Sequence, residues 1–142
     1  MPKRRAEARW EGGLKDGSGT MKLGSGAYEG AYSFGSRFES ATGTNPEELI
    51  GAAHAGCFSM AFSLMLEKAG FKPKRIDTRA EVTIDQVEGH FEITRIQLDM
   101  EADIPGIDED TFRQTAEAAK TGCPVSRALA GTQIGLNAKL KK

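Results

Sequence analysis

One long apolar segment in the middle of the chain constrains the fold more than any other feature. NPEELIGAAHAGCFSMAFSLMLEKAG, residues 45–70, opens with a helix-start signature and closes on a glycine. Asn45 is a capping residue, Pro46 suits the first helical position, and Glu48 stands where a capping box needs an acid. Gly70 is placed as a stop, so the spacing predicts a helix over 46–69. Between these ends the residues are apolar nearly all the way round, which predicts a helix covered on every side. His54, Ser59 and Ser63 interrupt the stretch Leu49 to Leu66, which is rich in Ala and Gly and short for a membrane span, so it reads as a buried core helix. Small residues Ala52, Ala55, Gly56, Ser59 and Ser63 recur at three- and four-residue spacing, so that one face can let another backbone approach closely.

The flanks read differently. Residues 1–45 carry many of the glycines, with strand signals at Arg4 to Trp10, Thr20 to Leu23 and Ala31 to Phe38, and predict an antiparallel meander. A hairpin is predicted over 74–104, where Ala80, Val82 and Ile84, then Ile96, Leu98, Met100 and Ala102, alternate with polar residues. Helices follow over 108–130: Asp108 starts an amphipathic one, and Thr121-Gly122-Cys123-Pro124 breaks and restarts it. The last strand, 131–142, is marked by Ile134, Leu136, Ala138 and Leu140. Without repeats, linkers or low-complexity tracts, residues 1–142 read as a single α+β domain, and a domain of this length removes roughly 68 to 70% of its unfolded surface from water.

Composition narrows the function. Nineteen Lys and Arg against 20 Asp and Glu leave a formal net charge of −1, and there is one Trp, so neither a basic face nor a base-stacking surface for nucleic acid is present. The start, MPKRRAEARWEGG, places Glu7, Arg9 and Glu11 where an export signal needs an apolar run, which predicts a cytoplasmic chain. In that compartment two cysteines stay reduced, and the pair is either inert or reactive.

Cys57 lies in HAGCFSM, inside the apolar helix. A buried cysteine ordinarily acts as a small hydrophobe, and burial raises a thiol pKa unless a positive partner opposes it. A reactive Cys57 therefore needs a cation. Arg37, at the end of the third predicted strand, is the candidate, although most arginines at strand ends are merely solvated; its guanidinium cannot lose its proton and can hold a thiolate and a carboxylate together. Glu47 and Glu48 are explained by capping and by the helix dipole. Glu47 is ten positions before Cys57, ~15 Å along a helix axis, so the two cannot meet within one helix. A carboxylate orienting the arginine beside Cys57 would then come naturally from a second copy of the helix, packed antiparallel in a two-fold dimer. Cys123, just ahead of Pro124, is either a buried structural cysteine or a thiol favoured as thiolate by a helix N-cap. A zinc site drawn from His54, Cys57, His90 and Cys123 has only one loose ligand pair, so no metal is expected and His54 reads as a hydrogen-bonded core histidine. A Cys-His hydrolase lacks an orienting group and an oxyanion hole.

The segment TNPEELIGAAHAGCFSMAFSLMLEKAGF, residues 44–71, resembles the osmotically inducible protein C and organic hydroperoxide resistance (OsmC/Ohr) family, most closely its OsmC branch. The likeness extends through RWEGGLKDGSGT, the SRFE around Arg37, PGID and TGCPVSRAL around Cys123. It implies an intertwined homodimer of two antiparallel sheets around central helices, with active sites at the interface. It also implies a peroxidase that reduces organic hydroperoxides to alcohols in oxidative and osmotic stress. By motif position, Cys57 is then the peroxidatic cysteine, Cys123 the resolving cysteine, Arg37 the thiolate's cation and Glu47, rather than Glu48, its carboxylate. No cofactor is implied beyond an external dithiol reductant, a lipoyl-bearing protein, and residues Leu49, Phe58, Met60 and Phe62 would favour a peroxide with an apolar tail. Competing readings are an acyl-transfer hydrolase and a dimeric binder of apolar ligands with inert cysteines.

Overall fold

Strands β1 (Ala6–Glu11), β2 (Ser18–Leu23) and β3 (Glu29–Tyr32) form an antiparallel meander in the order β1-β2-β3. Gly19 on β2 is required by a close approach: a Cβ there would lie 2.7 Å from both the Trp10 and Tyr32 rings, which pack on each other at 5.3 Å. The expected third strand over Ala31 to Phe38 stops at Tyr32. Ser33 instead caps a short helix, α1 (Phe34–Phe38), accepting from the Ser36 amide while the Ser36 hydroxyl accepts from the Ser33 amide. This reciprocal pair satisfies two donors that a strand would leave to a neighbour, and it outweighs the local alternation. Arg37 thus stands on the last turn of a helix and not at a strand end.

Helix α2 (Pro46–Lys68) begins as its sequence predicts, with Asn45 Oδ1 accepting from the Glu48 amide at 2.8 Å. The Glu48 carboxylate takes the Asn45 side-chain amide and the Thr44 hydroxyl. The helix ends at Gly70, whose φ of +92° suits glycine, with the Phe71 amide donating to the Leu66 carbonyl.

The computed structural model describes the whole chain, Met1–Lys142, as two compact units, Met1–Leu49 and Ile50–Lys142. In the second unit β4 (Arg75–Val87) and β5 (His90–Asp103) form a long hairpin, turned by Glu88 and Gly89, both at positive φ. Helices α3 (Glu109–Gly122) and α4 (Pro124–Ala128) then lead to β6 (Gln133–Leu140), which runs parallel to β5. This sheet is therefore mixed, where two antiparallel sheets were expected: a helical crossover between consecutive strands returns the chain in the same direction, as a hairpin cannot.

The core lies on one face of this sheet. Ile96, Leu98, Met100 and Ala102 of β5 pack with Phe58, Phe62 and Leu66 of α2 and Phe112, Ala116 and Ala119 of α3. Phe62 stacks on Phe58 at 5.9 Å and meets the edge of Phe112 at 5.8 Å. Burying each such side chain contributes about 1.5 to 3 kcal/mol. Gly51 lets α2 settle onto β4, since a Cβ would stand 3.3 Å from Val82, and Ser59 Oγ lies 2.7 Å from Thr78 Oγ1.

Only one stripe of α2 is covered within the chain. Gly51, His54, Phe58, Phe62 and Leu66 are buried, whereas Ala52, Ala53, Gly56, Met60 and Leu64 are exposed, Met60 at 77% and Leu64 at 54%. The helix is also long and apolar enough, by length and composition, to cross a membrane, contrary to the shorter reading of it. The expectation of a helix covered on every side is not met by one chain: an all-round apolar helix needs more neighbours than β4, β5 and α3 supply.

Candidate active site

The two cysteines, 66 positions apart in sequence, are in contact. Cys57 comes from the middle of α2 and Cys123 from the junction of α3 and α4, where its backbone caps both helices. Both are free thiols, and their sulfurs lie 2.8 Å apart, sharing a hydrogen. A disulfide bond is ~2.05 Å long, so the pair bridges with less than ~1 Å of closure. The junction residues explain the placement. Pro124 cannot continue α3, so the chain restarts there, and Cys123 is turned inward and fully buried beside α2. Cys57 is half-buried, with one side toward the open face of α2.

Their surroundings differ. Burial pushes the Cys57 thiol up, and its hydrogen bond with Cys123 pushes it further, with only the Val125 amide opposing. None of these groups is a cation. Burial also pushes Cys123 up, but the interactions with Cys57, with the Ser126 amide and hydroxyl and with the Val125 amide outweigh it, so its pKa lies below the ordinary thiol value.

Behind Cys123 lies a buried polar pair. His54 Nε2 is 2.7 Å from Ser126 Oγ, and both residues are buried. Burial lowers the His54 pKa, which keeps the ring neutral. This is the hydrogen-bonded core histidine that the sequence predicts. Its partner Ser126 was not singled out, although CPVS places it three residues after Cys123, the spacing at which the third residue of a helix meets its cap. His90 is remote from both cysteines in role, lying 3.5 Å from Glu92 on the β5 surface.

In the first unit, Arg37 and Glu47 form a two-pronged ion pair: Nε donates to Oε1 at 3.1 Å and Nη2 to Oε2 at 2.9 Å. Glu47 is 7% exposed. The pair is assembled by the connection between α1 and α2, in which the Ser36 hydroxyl donates to the Thr44 carbonyl and the Asn45 side chain donates to the Ser36 carbonyl. Of the adjacent acids Glu47 is the one paired with Arg37, while Glu48 is occupied by Thr44 and Asn45. The carboxylate of this arginine therefore comes from its own chain. The proposed apolar pocket loses two members, because Phe58 and Phe62 are sealed in the core.

An α+β frame that holds two free cysteines in sulfur contact defines a dithiol protein. The profile described as OsmC-like protein matches residues 39–137, and the chain belongs to that family. It is 52% identical over 139 residues to the peroxiredoxin OsmC of Escherichia coli, covering 97% of this chain and 96% of that protein. Among solved structures, an OsmC-like protein from Mycoplasma pneumoniae superposes with a TM-score of 0.78 at 18% identity, covering 99% of both chains. An organic hydroperoxide resistance protein from Elizabethkingia anophelis does so with 0.71 at 27% identity, covering 96% of both.

Proposed function

We propose that the chain is a cysteine-based peroxidase that reduces organic hydroperoxides to alcohols, with Cys57 as the attacking thiolate and Cys123 as the resolving thiol, in defence against oxidative and osmotic stress. The observation that carries this reading is the 2.8 Å approach of the two free sulfurs. The Cys57 thiolate attacks the terminal oxygen of ROOH, the O–O bond breaks, RO⁻ leaves and takes a proton as the alcohol, and the sulfur is oxidised by two electrons to sulfenic acid. Cys123 then forms the S–S bond; the sulfenic S–O bond breaks and hydroxide leaves with the Cys123 proton as water. An external dithiol, carried by a lipoyl-bearing protein in a reducing cytoplasm, restores both thiols by exchange and is itself oxidised to a disulfide.

The attacking thiolate needs a cation that no group acting on Cys57 within the chain provides. Arg37, held by Glu47, is that cation in our reading, and it is supplied by a second copy of the chain. Glu47 and Cys57 are ten residues apart on α2, ~15 Å along its axis, so the ion pair anchored at the helix start is out of reach of Cys57 on the same helix. Two copies of α2 packed antiparallel through Ala52, Ala53, Gly56, Met60 and Leu64 cover the open face and bring each ion pair toward the opposite Cys57.

The test is a thiol count. Reduced protein mixed with stoichiometric cumene hydroperoxide is expected to lose two thiols per chain and release cumyl alcohol. Unchanged thiols, or release of an acid from an ester without thiol loss, would sink the peroxidase in favour of an inert binder or a hydrolase.

A further inference from the structure

His54 and Ser126 have no part in the peroxidase chemistry just described, yet they form a fully enclosed polar pair directly behind Cys123. A polar pair in an apolar core is costly unless its hydrogen bonds are made, and here the pairing is incomplete. His54 Nδ1 is buried with no partner. An orphaned buried N–H is rarer than an orphaned acceptor, so the ring proton belongs on Nε2, with Nδ1 left as a bare lone pair. The His54 Nε2–H then donates to Ser126 Oγ over 2.7 Å, and the single hydroxyl proton of Ser126 is free to point elsewhere. Ser126 is three residues beyond Cys123, at the third position of α4, and its hydroxyl is among the groups that hold the Cys123 thiol below its ordinary value.

We propose that His54 and Ser126 are positioning residues for Cys123: the imidazole fixes the Ser126 hydroxyl so that its proton faces the Cys123 sulfur and steadies the thiolate character of that sulfur as it closes the disulfide. The role in closing the disulfide rests on the peroxidase reading; the hold on the Cys123 sulfur does not. The titratable groups facing Cys123 are Cys57 directly and His54 through Ser126, both from α2. In the closing step Cys123 forms the S–S bond, the S–O bond of the Cys57 sulfenic acid breaks, and the Cys123 proton leaves with hydroxide as water; the relay orients and exchanges no electrons.

The experiment separates the two readings. In a Cys57→Ser background, where Cys123 is the remaining thiol, iodoacetamide alkylation is followed against pH. Hydrogen bonds to a charged group are strong enough that Ser126→Ala is expected to slow alkylation at pH 7 about tenfold and move the profile to higher pH. Ser126→Thr, which keeps a hydroxyl, restores it. His54→Leu shifts the profile the same way, and His54→Gln, which keeps an N–H near the Nε2 position, restores it. Circular dichroism and thermal melting identify folded variants, and the Ser126 pair decides alone if a His54 variant does not fold. With Cys57 present, Ser126→Ala should lengthen the lifetime of a dimedone-trappable sulfenic acid. Superimposable alkylation profiles for Ser126→Ala and Ser126→Thr would overturn the proposal. Failure of the wild-type chain to form any sulfenic acid would overturn the peroxidase reading and leave the alkylation result to judge the relay.

Discussion

Of the two neighbouring acids at the start of α2, Glu47 is the one positioned to organise a cation, because its carboxylate is buried and receives both prongs of the Arg37 guanidinium. A planar fork held at two points keeps its remaining N–H donors in a fixed direction, which a lysine at position 37 would not do. The consequence is measurable at Cys57. Removing a cation beside a thiolate destabilises the charged form, so the pKa rises and less thiolate is present at any fixed pH. Arg37→Ala is therefore expected to move Cys57 alkylation to higher pH by at least about one unit and to slow oxidation by peroxide at neutral pH about tenfold. The profile is read in a Cys123→Ser background so that one thiol reports, and an unchanged profile would remove the arginine from the chemistry. At this scale much was legible in the sequence. The contexts HAGCFSM and TGCPVSRAL marked both cysteines, and the glutamate motif marked Glu47, because each signal lies within a few residues. The 2.8 Å sulfur contact and the role of Ser126 were not legible, since both depend on where α4 is carried by the crossover.

Elements were legible in proportion to how local their signals are. The bounds of α2 follow from Asn45, Pro46 and Gly70, and the helix begins and ends within one residue of that reading. The cap deserves a quantitative test: Asn45 Oδ1 accepts from the Glu48 amide, and its side-chain amide ties the helix start to the Ser36 carbonyl. Asn45→Ala should cost about 1 kcal/mol, within the usual range of 0.5 to 2, read as a lower urea midpoint at unchanged slope. A midpoint equal to that of the parent would show that the cap contributes nothing. Helix α1 was misread as strand because alternation in Ala31 to Phe38 is a weak signal beside the Ser33 and Ser36 box. The direction of β6 was hidden for a different reason. Ile134, Leu136, Ala138 and Leu140 alternate identically in a parallel or an antiparallel strand, and only the crossover through α3 and α4 decides between them.

The largest gap between one chain and a finished protein is the open side of α2. A helix with Met60 and Leu64 exposed, Ala52, Ala53 and Gly56 beside them, and a half-buried thiol on the same side is built to be covered. If a second copy covers it in a two-fold arrangement, each Cys57 is served by the partner's Arg37, and the active site belongs to neither chain alone. Subunit complementation tests that sharing without disturbing the interface. Arg37→Ala keeps its own Cys57 and loses its cation; Cys57→Ser keeps its cation and loses its thiol. Each homodimer is therefore impaired. In a mixed dimer one site joins the Cys57 of the first chain to the Arg37 of the second and is intact, while the other site has neither. Co-expression in equal amounts makes about half of the dimers mixed, so about a quarter of wild-type sites, and that share of cumene hydroperoxide turnover, should return. Were Arg37 to serve the cysteine of its own chain, every mixed dimer would contain one thiol without a cation and one cation without a thiol, and co-expression would restore nothing beyond the residual activity of the two variants measured apart.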